Sequence, residues 1–295
     1  MNSGAAPPAD RAERRNASQA RDRTSPRRNC DPGPPASDRC TATAECIARI
    51  NRRDSRLEFW SAGESRWVRK FYHAKFRVSQ EVDAYGRLQK ILEGLSDVRT
   101  ATINDVDDSN NSMDLVYVCG WSLAERAVLI KVLNTPGLRQ TLLTVMVRCK
   151  EVGFKFDLDP SNVIVEDDAR SLVFIDPVCE SDNDMPDYTA VVFFWGLIKC
   201  FLRNIHHAHD WRSFVSAWRR LRSEYLICSG TSSDAFSEQL SEYIKVVARW
   251  NLEQCANEGW AKRSARVVLV VPAWQITARY FRWRATRQVT RSGLR

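Results

Sequence analysis

The sequence predicts a mixed α+β fold in which a small strand-rich lobe precedes a larger helical lobe. Two short apolar runs, at 57–60 and 67–72, flank a turn-forming segment and predict a pair of strands. Apolar residues then recur at helical spacing after Ser79, and the almost entirely apolar segment 191–202 predicts a buried helix. Strand signals that come first and helix signals that come later indicate the α+β class.

The remaining elements follow from local patterns in chain order. Ser79 is predicted as the N-cap of the first helix, Pro136 favours the start of a later helix, and Gly153 favours its end. Two further strands are predicted at 98–103 and 113–119, and a polar turn at 105–112 joins them. Two short strands are predicted at 163–165 and 172–175. Two amphipathic helices, at about 210–228 and about 234–256, complete the prediction.

Charge and composition divide the chain into four regions. The net charge is +8, yet residues 260–295 hold nine Lys or Arg and no acid, so the rest of the chain is close to neutral. Residues 1–45 are rich in Pro, Ser and Arg and poor in aliphatic side chains, and such a segment buries too little apolar area to fold. We expect a disordered leader at 1–45, a strand-rich lobe at 46–120, a helical lobe at 121–259 and a basic tail at 260–295.

Several classes of protein are excluded by composition. No apolar run reaches the roughly 18 residues of a membrane-spanning helix. The nine cysteines are odd in number and form no Cys-x-x-Cys pair, which favours a reducing compartment over a disulfide framework. The N-terminus has no apolar core of a secretory signal, and its Ser/Pro/Arg composition resembles the export signals of injected bacterial effectors. We expect a cytoplasmic protein, or one delivered into a host cell by a route other than general secretion.

Most of the chemical information lies in residues 153–177. Asp157 is followed five residues later by Asn162, and Asp176 stands at the end of a predicted strand. Phosphoryl transfer needs a carboxylate beside the attacking hydroxyl and oxygen ligands for the magnesium ion that bridges the phosphates. These three side chains offer both.

The run Asp157-Leu-Asp-Pro-Ser-Asn162 and the later Ile-Asp176-Pro resemble the catalytic loop and the metal-binding Asp of the protein-kinase-like superfamily. That superfamily includes small-molecule phosphotransferases and atypical bacterial and phage kinases. The resemblance implies that Asp157 orients or deprotonates the acceptor hydroxyl. It also implies that Asn162 and Asp176 hold Mg²⁺.

Upstream residues extend the resemblance to the nucleotide phosphates. The run Trp67-Val-Arg-Lys70-Phe resembles the strand whose lysine contacts the α- and β-phosphates of ATP. Glu81, on the first predicted helix, resembles the glutamate that pairs with this lysine. Lys75 is an alternative phosphate lysine.

The resemblance also covers the segment 114–123, which is similar to the strand and hinge that join the two lobes. It implies that the backbone at Tyr117 and Cys119 pairs with the adenine edge. The chain has no Gly-x-Gly-x-x-Gly, and the turn at the phosphate-loop position has a single glycine. With Gly63 as that glycine, Ser61, Ser65 and backbone amides would have to cover the phosphates.

Departures from the family pattern limit what the resemblance implies about the acceptor. Lys155 stands where the family usually has His, Asp159 where it has Lys or His, and Pro177 follows the metal-binding Asp. About fifteen residues separate Asp176 from the next helix, which is too short for a phosphorylation-switched activation segment.

We therefore expect an atypical kinase that transfers the γ-phosphoryl group of Mg-ATP to a hydroxyl, with ATP and Mg²⁺ as cofactors. The flexible leader favours a protein Ser, Thr or Tyr acceptor, whereas Ile-Asp-Pro leaves a small-molecule acceptor open. The missing glycines leave a catalytically inactive scaffold open as well. The Arg- and aromatic-rich tail would contact nucleic acid or an anionic membrane, or pack on the helical lobe.

Overall fold

The structure, a computed structural model, describes residues 44–51, 55–73, 77–166, 170–178, 184–203 and 211–255. Within these residues the protein is mixed α+β, with a strand-rich region followed by a helical region, as the sequence predicts. Nearly all of the expected leader, the alternative lysine Lys75 and the whole basic tail lie outside the described residues. The prediction that the tail contacts nucleic acid or an anionic membrane therefore stays a prediction. None of the described helices has the length and apolar character needed to cross a membrane.

Nine strands and six helices are present among the described residues. The strands are β1 (Glu45–Asn51), β2 (Ser55–Ala62), β3 (Ser65–Tyr72), β4 (Val98–Thr100), β5 (Ile103–Asp107), β6 (Ser112–Val116), β7 (Gly120–Ser122), β8 (Val163–Glu166) and β9 (Leu172–Phe174). The helices are α1 (Val78–Leu92), α2 (Arg126–Asn134), α3 (Pro136–Glu151), α4 (Tyr188–Arg203), α5 (Trp211–Ser229) and α6 (Ser233–Cys255). β1, β7 and α2 have no counterpart in the sequence prediction.

The first sheet is antiparallel, with strand order β1-β2-β3-β6-β5. The turn between β2 and β3 is tighter than predicted, because Ala62 pairs with Ser65 and only Gly63 and Glu64 remain between the strands. Gly63 has φ of 59°, the positive value that a two-residue hairpin with glycine first requires. Ser61 consequently belongs to β2 and not to the turn.

The second sheet has the order β4-β9-β8-β7, with β4 parallel to β9. The single strand predicted at 98–103 is thus two strands in two different sheets. The amide of Ala101 donates to the carbonyl of Phe174 in the second sheet, whereas the carbonyl of Thr102 accepts from the amide of Val116 beside the first sheet. The hydrogen-bonded sheet changes between two adjacent residues, and the spacing of apolar residues does not indicate such a change. The predicted polar turn likewise begins later, since β5 continues to Asp107.

Helix α1 begins at Val78 with Arg77 at the N-cap position, and not at the predicted N-cap Ser79. The side-chain oxygen of Asn111 accepts a hydrogen bond of 2.8 Å from the Val78 amide, which satisfies a helix-end donor from a distant turn. Local sequence gives no sign of such a cap.

Helix α4 is the centre of the helical region, as its apolar sequence predicts. Phe193, Phe194 and Trp195 are fully buried. The Phe194 ring contacts the rings of Trp218 and Phe236 edge-on at centroid distances of 5.7 and 5.4 Å. Because α5 and α6 both pack on α4, this helix is a rigid support for whatever its other side contacts.

The cysteines depart from the sequence expectation at one position. Cys119 is disulfide-bonded, whereas Cys46, Cys149 and Cys228 are free thiols. The expected absence of disulfides is therefore corrected at Cys119, which Cys spacing alone did not single out.

Candidate functional site

The candidate site is built around the ammonium group of Lys70. Its Nζ donates to Oε2 of Glu81 at 2.6 Å and to Oδ1 of Asp176 at 2.8 Å. Lys70 is 4 % exposed and Glu81 is 1 % exposed, so both charges lie away from water. The Tyr72 hydroxyl also donates to Oε2 of Glu81, at 2.6 Å. Strand β3 supplies Lys70 and Tyr72 from the same face because side chains two residues apart point to the same side of a strand.

The two carboxylates keep Lys70 protonated. Burial lowers the pKa of Lys70, but the charges of Glu81 and Asp176 outweigh it and leave the pKa raised. Burial raises the pKa of Glu81, and the ammonium of Lys70 opposes that rise. A buried ammonium between two carboxylates is a fixed positive charge that can face an anionic ligand.

Asp176 is held in an unusual backbone conformation. Its φ is 56°, a left-handed value that costs a residue other than glycine about 1–3 kcal/mol. The amide of Asp176 donates to the Tyr85 hydroxyl at 3.1 Å, and the preceding amide, of Ile175, donates to the carbonyl of Asn162 at 2.9 Å. These contacts aim the Asp176 carboxylate at Lys70 and bring it beside the loop that carries Asn162.

Asp157 and Asn162 lie together at the other side of the site. The side-chain amide of Asn162 donates to the carbonyl of Asp157 at 3.1 Å and to its Oδ2 at 3.3 Å. Burial, together with the negative charges of Asp159 and Asp176, raises the pKa of Asp157 to about 7. Because Asp176 contributes to this shift, the two carboxylates lie within electrostatic reach of each other. A carboxylate with a pKa near neutrality is suited to accept a proton.

The Asp157 loop is anchored from α4 by a residue that the sequence prediction missed. The backbone amide of Phe156 donates to the Thr189 hydroxyl at 3.0 Å, and this hydroxyl donates to the carbonyl of Phe154 at 3.3 Å. The Phe156 ring also packs edge-on against Phe174 of β9. The residue next to Asp157 is thus fixed in both its backbone and its side chain.

The structure does not bring Ser61 and Gly63 to the site. Lys70 pairs with Leu57, whereas Ser61 pairs with Arg66, four residues along the strand and so about 13 Å away. Gly63 is farther still, because the tip of a hairpin lies at the far end of its strands. Residues 52–54, between β1 and β2, lie outside the described residues.

The predicted adenine-binding residues are only partly available. The amide of Tyr117 donates to the carbonyl of Arg66 at 3.2 Å, so this amide is already used. Tyr117 is partly exposed beside the exposed side chains of Val116 and Trp121, which give this segment an apolar surface. Cys119 is disulfide-bonded through its side chain, and this bond does not involve the backbone groups that the prediction concerns.

The oxygen donors of the site fit magnesium better than a transition metal. Asp157, Asn162 and Asp176 offer carboxylate and amide oxygens, and Mg²⁺ is held in proteins by one or two carboxylates together with substrate phosphates and water. The Asn162 amide nitrogen is directed at Asp157, which leaves its oxygen as the ligand atom. Nowhere in the described part of the chain do three or more His, Cys, Asp or Glu side chains form a cage for a metal ion.

Four residues that contact the site or its loops were not predicted as site residues: Tyr72, Tyr85, Thr189 and Lys199, whose ammonium donates to Oδ2 of Asp159. Tyr72 could have been found, because it is two residues from Lys70 on a predicted strand. Tyr85 could also have been found, because it lies four residues after Glu81 on the same helix. Thr189 and Lys199 contact the site from a helix distant in the chain, which local spacing does not connect. No protein-family model matches this chain, and no curated protein matches it either.

Proposed function

We propose that this protein is a kinase-like phosphotransferase that transfers the γ-phosphoryl group of Mg-ATP to a hydroxyl group. The observation that carries the proposal is the buried Lys70 ammonium held by Glu81 and Asp176, with Asp157 and Asn162 beside it. A sheet of order β1-β2-β3-β6-β5, followed along the chain by a helical region, supports a protein-kinase-like arrangement of two lobes.

Each residue has a role that its surroundings favour. Lys70 offsets the negative charge of the ATP phosphates, and Glu81 holds Lys70 in place. Asp176 and Asn162 hold the metal ion through oxygen atoms. Bound Mg-ATP supplies the phosphoryl group and the metal charge that offsets the negative charge of the phosphates. Positioning and fixed charge account for most of the catalysis in this class of reaction.

Asp157 handles the proton. The acceptor oxygen forms a bond to the γ-phosphorus while the bond from this phosphorus to the bridging oxygen of ADP breaks. The hydroxyl proton passes to a carboxylate oxygen of Asp157, whose pKa near 7 allows it to accept the proton and release it to water.

A protein Ser, Thr or Tyr is the acceptor that we propose, with a small molecule as the alternative. The Pro-, Ser- and Arg-rich residues 1–45 are the basis for proposing an acceptor in a host cell. After incubation with γ-labelled ATP, label on candidate proteins supports a protein acceptor. Label confined to the low-mass fraction assigns the small-molecule acceptor instead.

A catalytically inactive nucleotide-binding scaffold is the second candidate. It is favoured by the distance of Ser61 and Gly63 from Lys70 and by the use of the Tyr117 amide within the fold. Stabilisation of the protein by Mg-ATP, measured as a rise in Tm without any turnover, would assign this function.

The test of catalysis compares Mg²⁺-dependent ATP turnover of the wild type with that of Asp176→Ala and Asp157→Asn. Asp83→Asn is the control, because Asp83 is exposed on α1 and has no role in the site. We expect turnover to be lost in the two site variants and kept in the control. Undiminished turnover in both site variants would remove the assignment.

A further inference from the structure

Lys199, on helix α4, contacts the loop that carries Asp157 but has no role in the function proposed above. Its ammonium donates to Oδ2 of Asp159, two residues after Asp157. Both side chains of this pair are largely shielded, with 25 % exposure for Lys199 and 16 % for Asp159. A shielded ion pair restrains its two partners more than a solvated one does, because water competes less for the charges.

The pair forms because α4 approaches the loop unusually closely at Gly196. A Cβ atom at this position would lie 2.2 Å from Cδ of Pro160 and 3.3 Å from Oδ2 of Asp159. The missing side chain lets the helix backbone touch the loop. Lys199 lies three residues further, on the same side of the helix, and so meets Asp159.

Asp159 connects this contact to the candidate ligands. Its Oδ1 accepts hydrogen bonds from the amide and the hydroxyl of Ser161, at 3.0 and 2.8 Å. Its carbonyl accepts from the amide of Asn162 at 2.8 Å. Asp159 thereby caps the single 3₁₀ turn of residues 160–162, and this turn ends at the asparagine that bonds Asp157.

The charge of Lys199 decides whether Asp159 can keep this position. Burial raises the pKa of Asp159, but the ammonium of Lys199 and the bonds from Ser161 outweigh it and leave the pKa lowered. Without Lys199, an ionised Asp159 would be shielded from water with no cation beside it, a costly state. It would relax by turning towards water, and this change weakens the cap of the turn.

We propose that Lys199 is a positioning residue which, by holding Asp159 against α4, sets the places of Asn162 and Asp157. The consequence for catalysis depends on the function proposed above, whereas the positioning is a property of the chain itself. Lys199 would then restrain the loop that carries Asp157 and Asn162, from a helix that is distant in the chain.

The test measures loop structure and turnover separately. The variants are Lys199→Met, Lys199→Arg, Asp159→Asn and the double variant Lys199→Met/Asp159→Asn. The control is Lys245→Met, because Lys245 forms an exposed pair with Glu242 on α6. Amide hydrogen exchange of peptides covering 157–163 reports the loop without requiring activity, and peptides from α4 and α6 report whether the fold is intact.

We expect Lys199→Met to speed exchange in 157–163 about tenfold or more while exchange in α6 is unchanged. It should lower kcat by about tenfold or more and change the KM for ATP less than about twofold. Lys199→Arg should retain most of both properties, because the guanidinium keeps the charge. The double variant should be no more impaired than the worse single variant, since both act through one contact.

Unchanged exchange in Lys199→Met would overturn the proposal, as would additive effects of the two substitutions. Additivity would mean that Lys199 acts independently of Asp159. Gly196→Ala gives a second test, because it should speed loop exchange with the pair chemically intact, and normal exchange in this variant would contradict the close approach. A wild type without turnover would refute the proposed function, while the exchange result would still decide the positioning role.

Discussion

Lys70→Met removes the ammonium at the centre of the candidate site and nearly preserves the length of the side chain. Glu81 would remain buried without its cation, and its Oε1 already has no hydrogen-bond partner. Asp176 would suffer less, because its side chain is 27 % exposed. Removing one partner of a buried ion pair lowers the free energy of unfolding by about 3–5 kcal/mol. For a domain of this size the loss corresponds to a fall in Tm of roughly 10 °C.

The loss should depend on Glu81 and on pH. Burial raises the pKa of Glu81, and removal of Lys70 raises it further. A carboxyl whose folded pKa is raised destabilises the fold at a pH above that pKa, and the penalty shrinks as the pH falls from the folded pKa towards the unfolded pKa. Lys70→Met/Glu81→Gln should recover most of the lost stability at pH 7, because no buried charge remains.

Urea unfolding followed by tryptophan fluorescence, at neutral and at mildly acidic pH, measures these differences. Lys245→Met is the control and should change the free energy of unfolding by less than about 0.5 kcal/mol. A Lys70→Met protein as stable as the wild type at pH 7 would refute the reasoning. So would a double variant no more stable than Lys70→Met, since the cost is assigned to the unpaired Glu81.

Three further predictions concern single groups. The kcat/KM of phosphoryl transfer should fall as the pH drops through about 7, because burial raises the pKa of Asp157 to that value and the protonated carboxyl cannot accept a proton. Asp187→Asn should lower the free energy of unfolding by about 2–3 kcal/mol, because the buried carboxylate accepts bonds such as that of 2.6 Å from the Tyr225 hydroxyl. Iodoacetamide should modify the exposed Cys228 in the native protein and spare Cys149, whose pKa burial raises to about 12.

Each of these three predictions would be contradicted by one specific result. A pH profile that is flat from 6 to 8 would remove Asp157 from proton transfer. The bonds to Asp187 outweigh burial and leave its pKa lowered, so the wild type should lose this contribution as the pH falls through that pKa. If the stability of the wild type and of Asp187→Asn fell equally at low pH, this contribution of the Asp187 carboxylate would be contradicted. Mass spectrometry showing alkylation of native Cys149 would contradict its burial.

Five of the six described helices were predictable because each carries its own signal, whereas α2 was not predicted. The apolar segment 191–202 lies within α4, and Pro136 begins α3 as expected. Hydrophobic spacing records which side of an element is buried, and this information is local. The division of the predicted strand 98–103 between two sheets was not predictable, because hydrogen-bond partners change between Ala101 and Thr102 without a change in composition.

The candidate site divides in the same way. Lys70, Glu81, Asp157, Asn162 and Asp176 could be singled out from residue type and spacing, and the structure brings them together. The distance of Gly63 from Lys70 could not be inferred, because it depends on the register of the β2–β3 hairpin and on how tight its turn is.

Most of the strands and helices and the chemically reactive residues were therefore determined by the sequence alone, since propensity and periodicity act over a few neighbouring residues. The tertiary structure decided what surrounds those residues: Tyr85 at the amide of Asp176, Thr189 at the backbone next to Asp157, and Lys199 at Asp159. Each of these contacts joins groups 30 or more residues apart, and such a pairing depends on how packed elements meet in space and not on any pattern along the chain.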